Sequence, residues 1–275
     1  MHPGKRWIWR NVFQKHLAWR GQDALARTVF GAQMAVSTQD LIQRYIYHYG
    51  VWEPSFTRWL SECLRAGDTF VDVGANVGYF TLLGSQRVGA SGRVVALEPS
   101  PTTFAALQAN VARNGASNVR LLQLAASDRE GELSLSSGPE SNSGMTSTQA
   151  ATADGGVRVR ARPLTECLSD QELSTTRAIK IDVEGAEWDA LMGLEPALPK
   201  LPRGCSIIVE VSPERLRARG HSAQALFELM SKHGFSALEL SNDYDPEAYF
   251  APRLTAPRAI SGPPSTDADI IFTRV

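Results

Sequence analysis

The fold of this chain is decided by the stretch Thr69-Phe70-Val71-Asp72-Val73-Gly74-Ala75-Asn76-Val77-Gly78 and by the residues that follow it. A short apolar run such as Thr69–Val73 predicts a buried strand. Gly74 and Gly78 allow the backbone to turn sharply and to approach a ligand closely. The free N–H groups of the next predicted helix, Tyr79–Val88, would face that ligand. The sequence therefore predicts a ligand-binding turn between a strand and a helix.

Strand and helix patterns continue to alternate beyond this turn, within a domain of residues 67–275. The further predicted strands are Arg93–Leu97, Val119–Leu124, Ala178–Val183, Ser206–Val211, Phe235–Leu240 and Asp269–Thr273, and the further predicted helices are Pro101–Asn114, Ala186–Leu194 and Ala223–His233. Apolar strands that alternate with helices predict an α/β domain with a mostly parallel sheet covered on both faces.

Residues 1–66 differ from the rest and form a predicted N-terminal helical extension. Five of the six tryptophans lie in this segment. Asp40 is a candidate N-cap for a helix that stops at Gly50. A helix packed against the main domain, a lid over the site, a contact with a membrane surface and a dimer contact are the alternatives for the extension.

Two later stretches break the alternation. Residues 136–156 are rich in Ser, Thr, Gly and Asn and predict a long loop, and such loops commonly carry function. Asn142 and Ser143 are therefore candidate substrate contacts. Residues 242–267 contain five prolines and predict an extended connection before the last strand.

The composition excludes several classes of protein. The 28 Lys+Arg and 29 Asp+Glu residues give a net charge of -1, without the basic excess of a nucleic-acid-binding protein. No apolar run reaches the ~18 residues that span a bilayer, and no secretory signal pattern follows the basic N-terminus. Three isolated cysteines favour a reducing environment. We therefore expect a cytoplasmic protein with no transmembrane segment and no nucleic-acid partner.

An acid after the second predicted strand indicates the kind of ligand. Glu98 lies 20 residues past Gly78, where a carboxylate can accept both hydroxyls of an adenosine ribose. The dinucleotide fingerprint needs a third glycine, which this chain lacks. Asp72 would attract a cationic amino-acid group rather than a pyrophosphate. The pattern favours S-adenosylmethionine over NAD, with an NAD-dependent oxidoreductase and a purely structural turn as the alternatives.

In these motifs the chain resembles the FkbM-type family of class I S-adenosylmethionine-dependent methyltransferases. The blocks that carry the resemblance are Gly50–Pro54, Gly67–Phe80, Ala96–Pro101, Asn110 with Asn114, Ala125–Asp128, Ile179–Glu187 and Ile208–Glu210. The resemblance implies a Rossmann-like fold with a seven-stranded, mostly parallel sheet of order 3-2-1-4-5-7-6, flanked by helices, with the last strand antiparallel. It also implies a cofactor over the carboxyl ends of the first strands.

The resemblance further implies which residues bind the cofactor. They are Asp72, Gly74, Asn76, Gly78, Glu98, Pro99, Ser127 and Asp128. Glu98 would accept hydrogen bonds from the ribose hydroxyls. Ser127 and Asp128 would lie near the adenine, although Asp128 is alternatively only a turn residue.

Acids after the fourth and fifth strands are the candidate catalytic residues. Asp182, together with Glu210, would act as the base on a substrate hydroxyl. In a second interpretation Asp182, Glu184 and Glu210 hold a hard cation such as Mg²⁺, although we expect no resident metal. In a third, these acids only stabilise the helix that begins near them. Glu184 is also a candidate substrate contact.

The resemblance and the motifs together predict an O-methyltransferase with S-adenosylmethionine as its cofactor. The acceptor would be a hydroxyl of a secondary metabolite, or of a sugar or glycan. A degenerate methyltransferase fold that serves only as a binding module is the non-enzymatic alternative.

Overall fold

The computed structural model describes residues 21–136, 147–150 and 156–274. Within them the strands are β1 Asp23–Arg27, β2 Gln33–Ser37, β3 Thr69–Val73, β4 Arg93–Leu97, β5 Val119–Leu122, β6 Ala125–Ala126, β7 Gly131–Ser136, β8 Ser147–Ala150, β9 Val157–Arg162, β10 Thr176–Ile181, β11 Ser206–Val211, β12 Ser236–Leu240, β13 Arg258–Ala259 and β14 Ala268–Thr273. The α-helices are α1 Leu41–Tyr49, α2 Pro54–Cys63, α3 Tyr79–Val88, α4 Pro101–Arg113, α5 Leu164–Cys167, α6 Asp170–Thr175, α7 Glu187–Leu194, α8 Pro213–Ala218 and α9 Ala223–Lys232.

The central sheet has the strand order β5-β4-β3-β10-β11-β14-β12-β13. Neighbouring strands from β5 to β11 run parallel, whereas β14 is antiparallel to both β11 and β12. Counted over the seven strands that the sequence predicts, this order is 3-2-1-4-5-7-6. The predicted topology is confirmed, and the two-residue β13 adds an eighth strand at the edge.

Helices cover both faces of this sheet, which explains why its strands are continuous apolar runs. All five residues of β3 are buried. Phe70 packs into the core formed with α3 and α4, whereas Val71 and Val73 pack into the core formed with α7 and α9. Because alternate residues point to opposite faces, a strand in such a sheet needs apolar side chains on both.

The N-terminal segment corrects one sequence prediction. Strands β1 and β2 form an antiparallel hairpin, so the prediction of a wholly helical extension over residues 1–66 is wrong for this part. Helices α1 and α2 follow it, and α1 begins at the Asp40 cap and ends at Gly50, as predicted. Residues 1–20 lie outside the described residues.

The hairpin is fixed to α4 by two asparagine side chains. The Ala35 N–H donates to Asn110 Oδ1 (2.7 Å), and Asn110 Nδ2 donates back to the Ala35 carbonyl (3.2 Å). Asn114 makes the same pair of contacts with Gln33, at 2.9 and 2.7 Å. These amides satisfy backbone groups of an edge strand, which would otherwise need a strand partner.

A second, four-stranded sheet of order β6-β9-β7-β8 lies beside the central one. Strand β8, Ser147–Ala150, belongs to the stretch that the sequence predicted as loop, and it pairs with β7. The prediction of a structureless loop over residues 136–156 is therefore wrong for β8. Asn142 and Ser143 lie outside the described residues.

The connection of residues 242–267 returns over the carboxyl ends of the central strands. Tyr45 Oη on α1 donates to the Tyr244 carbonyl (2.9 Å), and Tyr49 Oη donates to the Pro246 carbonyl (3.2 Å). The N-terminal helices and this connection thus meet over one edge of the sheet. No helix in the described part of the chain is long and apolar enough to cross a membrane.

Candidate active site

A cavity of about 400 Å³ opens at the carboxyl ends of β3, β4 and β10. Its volume lies in the range of sites that hold small molecules and cofactors. The predicted site residues that line it are Gly74, Asn76, Glu98, Pro99, Asp182, Glu184 and Glu210. The structure therefore brings together two of the four predicted residues of the cofactor turn (Gly74 and Asn76), Glu98 with Pro99, and both predicted catalytic acids.

Gly74 is a glycine because the neighbouring strand leaves no room for a side chain. Its φ is +80°, and a Cβ at this position would lie 1.8 Å from the carbonyl oxygen of Asp182. The N–H groups of Gly74 and Ala75 donate to the Leu97 carbonyl, at 3.0 and 2.9 Å. These bonds fix the turn between the ends of β4 and β10 and form the floor of the cavity.

Glu98 is held by the backbone of two turns. The N–H of Asn76 donates to Oε2 of Glu98 (3.0 Å), and the N–H of Ser100 donates to Oε1 (3.0 Å). The residue is 8% exposed, and burial raises the pKa of its carboxyl group to about 7. Each carboxylate oxygen has two lone pairs, so one on each remains for a pair of ligand hydroxyls.

Asp72 and Gly78 do not line the cavity, so their role as direct cofactor contacts stays a prediction. Asp72 is fully buried, accepts a hydrogen bond from Thr81 Oγ1 (2.6 Å) and lies 3.9 Å from Lys180 Nζ. A Cβ on Gly78 would lie 2.6 Å from Leu107 Cδ1. Gly78 thus allows α3 to pack against α4, and Asp72 is a buried partner of Lys180.

Ser127 and Asp128 also lie away from the cavity wall. Ser127 is buried and its hydroxyl donates to Asp128 Oδ1 (3.2 Å), whereas Asp128 is exposed beside Arg129. The wall in this region is formed by Leu124, Ala125 and Ala126. The contact of Asp128 with an adenine amino group stays a prediction, and the cavity wall nearest to it in sequence is apolar.

The two candidate catalytic acids, Asp182 and Glu210, form one cluster with Glu184. Oxygen atoms of Asp182, Glu184 and Glu210 all lie within 4.8 Å of one another. Arg215 Nη1 on α8 lies 2.6 Å from Glu184 and 2.9 Å from Glu210. Lys180 Nζ lies 2.9 Å from Asp182. Two cations therefore already lie against the three carboxylates.

Burial and mutual repulsion govern the charges of this cluster. Burial and the nearby Asp182 raise the pKa of Glu184 to about 7 and raise that of Glu210 above its usual range, although Arg215 opposes both shifts. Burial lowers the pKa of Lys180, but the carboxylates of Asp182 and Asp72 outweigh it and raise that pKa. The Asp182 side chain is 38% exposed, so it is the member of the cluster most open to a ligand.

Glu187 fits the structural interpretation of the acidic block. It is buried, and its Oε1 accepts hydrogen bonds from the N–H groups of Gly185 (2.9 Å) and Val183 (3.2 Å). The turn that it caps contains Glu184 in a left-handed conformation (φ 54°). Glu187 thus fixes the turn that carries Glu184 into the cavity, and it does not line the cavity itself.

Several residues that line the cavity were not among the predicted site residues. They include Glu53, Lys180, Arg215 and Tyr244. Glu53 and Lys180 lie within blocks that carry the family resemblance, so their motifs offered a signal. Arg215 and Tyr244 lie outside every motif, and only the tertiary structure brings them to the site.

The sheet order, the glycine turn and the acid after β4 together define a class I methyltransferase fold. The chain belongs to the family described as the methyltransferase FkbM domain, which matches residues 72–237. This match covers both the cofactor turn and the acidic cluster.

Individual relatives are similar over part of their length. The chain is 32% identical over 178 residues to 31-O-demethyl-FK506 methyltransferase FkbM of Streptomyces tacrolimicus, which covers 54% of this chain and 66% of that protein. It is 28% identical over 159 residues to hexuronic acid methyltransferase AglP of Haloferax volcanii, which covers 58% and 62%. It is 30% identical over 201 residues to AMB antimetabolite synthetase AmbE of Pseudomonas aeruginosa, which covers 60% of this chain but 9% of that protein. The chain thus spans less than two thirds of each of these relatives.

Among solved structures, a SAM-dependent O-methyltransferase from Thermotoga maritima aligns with a TM-score of 0.47 and 15% sequence identity, covering 92% of this chain and 77% of that one.

Proposed function

We propose that this protein is an S-adenosylmethionine-dependent O-methyltransferase that acts on a hydroxyl of a small molecule or a sugar. Gly74, Asn76, Glu98 and Pro99 would hold the cofactor, since they line one cavity and leave free acceptors on Glu98. S-adenosylmethionine would supply the methyl group as a sulfonium. The similarity to a 31-O-demethyl-FK506 methyltransferase and to a hexuronic acid methyltransferase supports this class of reaction.

In this proposal Asp182 accepts the proton of the acceptor hydroxyl. Its side chain is open to the cavity at the end of β10, and Lys180 holds one of its oxygens at 2.9 Å. A fixed carboxylate next to a bound hydroxyl can remove its proton as the oxygen attacks. The enclosing N-terminal helices and the 242–267 connection exclude water and hold the acceptor in line.

The observation that carries the proposal is the pair of backbone donors on Glu98, which leave each carboxylate oxygen one further acceptor site. Glu98→Gln replaces one of these oxygens by an NH₂ group, so a ribose hydroxyl loses its acceptor. We expect the affinity for S-adenosylhomocysteine, measured by calorimetry, to fall on the order of 100-fold, because charge-assisted hydrogen bonds contribute about 1.5–3 kcal/mol each.

Two controls belong to this measurement. Glu62→Gln changes an exposed glutamate of α2 and should leave the affinity unchanged. NAD in place of S-adenosylhomocysteine should not stabilise the wild-type protein against heat. Wild-type affinity in the Glu98→Gln variant, or stronger stabilisation by NAD, would contradict the proposal.

A turnover test separates an enzyme from a binding module with the same fold. Asp182→Asn keeps the size of the side chain but removes a strong base. It should bind S-adenosylhomocysteine like the wild type and lose methyl transfer to a hydroxyl acceptor by about 100-fold or more. Equal turnover in both proteins would remove Asp182 from the catalytic role.

A further inference from the structure

Glu53 is a cavity residue in a strained conformation. It precedes Pro54 at the start of α2, and its φ of 44° is left-handed, which non-glycine residues rarely adopt. Its N–H donates to Tyr249 Oη (3.3 Å), and its Oε1 accepts a hydrogen bond from Tyr244 Oη (2.8 Å). Both tyrosines come from the 242–267 connection. Strain of this kind persists where the surrounding structure holds a residue in place, and it is concentrated at ligand sites.

The surroundings of Glu53 contain more negative than positive charge. Asp182 and Asp269 lie close enough to act on its carboxyl group, and Lys180 is the cation that opposes them. The ammonium group of Lys180 already lies against Asp182 (2.9 Å) and the Gly74 carbonyl (3.3 Å). Among the described residues Glu53 forms no ion pair of its own. Burial and the two carboxylates raise its pKa.

Glu53 is therefore a cavity acid without an ion-pair partner of its own. The proposed cofactor carries an α-ammonium group, which an acid of this kind would stabilise. The sequence assigns this duty to Asp72, but Asp72 is fully buried. Its Oδ2 accepts a hydrogen bond from Thr81, and its Oδ1 lies 3.9 Å from Lys180 Nζ without a hydrogen-bond partner among the described residues. Its side chain does not reach the cavity. Glu53 lines the same cavity as Asp182 and Lys180, and both of these charges act on its carboxyl group.

The sheet order shows how far Glu98 lies from the region of Asp182 and Glu53. Glu98 follows β4 and Asp182 follows β10, and β3 lies between these two strands. Two strand spacings separate them by about 10 Å. A ligand with its ribose hydroxyls on Glu98 would cross Gly74 and bring its far end to the region of Asp182 and Glu53. In S-adenosylmethionine the far end is the amino-acid part.

We propose that Glu53 is the counter-ion of the α-ammonium group of the cofactor. This inference rests on the proposed function and adds the residue that recognises the amino-acid end. The hydrogen bond from Tyr244 holds the carboxylate in place, so the C-terminal connection takes part in cofactor recognition. A buried carboxylate and an ammonium group attract strongly at short distance because little water screens them.

Two ligands test the proposal without a known acceptor. S-adenosylhomocysteine carries the amino-acid part, whereas 5′-methylthioadenosine has the same thioether-linked adenosine without it. Calorimetry on wild-type protein and on Glu53→Gln should show a loss of about 30-fold for S-adenosylhomocysteine and a change below twofold for 5′-methylthioadenosine. Glu62→Gln on the same helix should change neither affinity.

The outcomes are distinct. Equal losses for both ligands, or no loss for either, overturn the role of Glu53 but leave the proposed function standing. If the wild-type protein binds neither ligand, the proposed function itself fails and the role of Glu53 fails with it. If Glu53→Gln does not fold, Tyr244→Phe replaces it. That variant removes only the supporting hydrogen bond and should weaken S-adenosylhomocysteine severalfold with 5′-methylthioadenosine unchanged, and an equal effect on both ligands would again overturn the proposal.

Discussion

Glu98, which is buried, and Glu210, which is half-buried, line the same cavity, but different kinds of groups hold them. The backbone N–H groups of Asn76 and Ser100 hold Glu98, and both belong to turns next to it in the fold. The side chain of Arg215 holds Glu210 and also Glu184. At the Glu98 end of the cavity, the backbone of the turns itself holds the acid that is proposed to bind the ligand. At the Glu210 end of the cavity, the side chain of Arg215 balances the charges of Glu184 and Glu210, and a single substitution can remove it.

The largest effect is expected from changing Gly74, in the turn at the Glu98 end of the cavity. Gly74→Ala would place a methyl group 1.8 Å from the Asp182 carbonyl oxygen at a φ of +80°. Either the turn or the end of β10 must then move. We expect a loss of about 3 kcal/mol or more in the free energy of unfolding, with no detectable binding of S-adenosylhomocysteine. Denaturant titration and calorimetry measure the two effects.

Gly115→Ala is the matched control for this substitution. Gly115 also has a left-handed φ, of +59°, but nothing lies within 4 Å of the added Cβ. The control should lose only about 1 kcal/mol, the cost of the backbone conformation alone. If both variants lose the same amount, the close approach of Asp182 to Gly74 is not what fixes the turn.

The comparison also explains which parts of the molecule the sequence predicts. Helix α3 and strands β3, β4 and β11 have their predicted bounds, because apolar periodicity and glycines are local signals. The glycine turn and Glu98 belong to the same class. Arg215 and Tyr244 were not predicted, since nothing near them in sequence shows that their side chains reach the cavity.

Two errors had visible signals. Strand β9 was not predicted, although Val157-Arg158-Val159-Arg160-Ala161-Arg162 alternates strictly in sequence. Strand β2 was not predicted either, although its apolar Met34 and Val36 are two residues apart. The case of Asp72 is different. Its motif position is as predicted, but Lys180 lies 3.9 Å from it, and only packing shows that partner.

An intermediate effect is expected from changing Arg215, at the Glu210 end of the cavity. Arg215→Met removes the guanidinium group between Glu184 and Glu210. Burial raises the pKa of Glu184 to about 7 and raises that of Glu210 also. The stability that these two groups contribute is therefore fully present below about pH 4.5, their unfolded value. It is lost as the pH rises through a pKa of about 7 for Glu184 and about 9 for Glu210. Without Arg215 their ionisation should cost more still.

We therefore expect Arg215→Met to lose about 1–2 kcal/mol at pH 8 and little at pH 5, since the arginine is partly exposed. Denaturant titration at both values measures the difference. Arg217→Met, an exposed position on the same helix, is the control. Millimolar Mg²⁺ should restore part of the loss in Arg215→Met, because the three carboxylates would then accept a divalent cation. A loss that is the same at pH 5 and pH 8 would show that Arg215 acts through packing rather than charge.

The smallest effect is expected at Asp128, whose predicted contact with the adenine is untested. The motif predicts a contact with the adenine, but Asp128 is exposed and the cavity wall there is Leu124, Ala125 and Ala126. Asp128→Ala should change the affinity for S-adenosylhomocysteine less than twofold in calorimetry. Ala126→Asp, which puts a charge on the apolar wall itself, should weaken binding at least tenfold because a buried charge would face the adenine. A tenfold loss in Asp128→Ala would instead mean that this acid turns into the cavity when the ligand binds. Ligand binding at the Glu98 end of the cavity would then also depend on a side chain that moves.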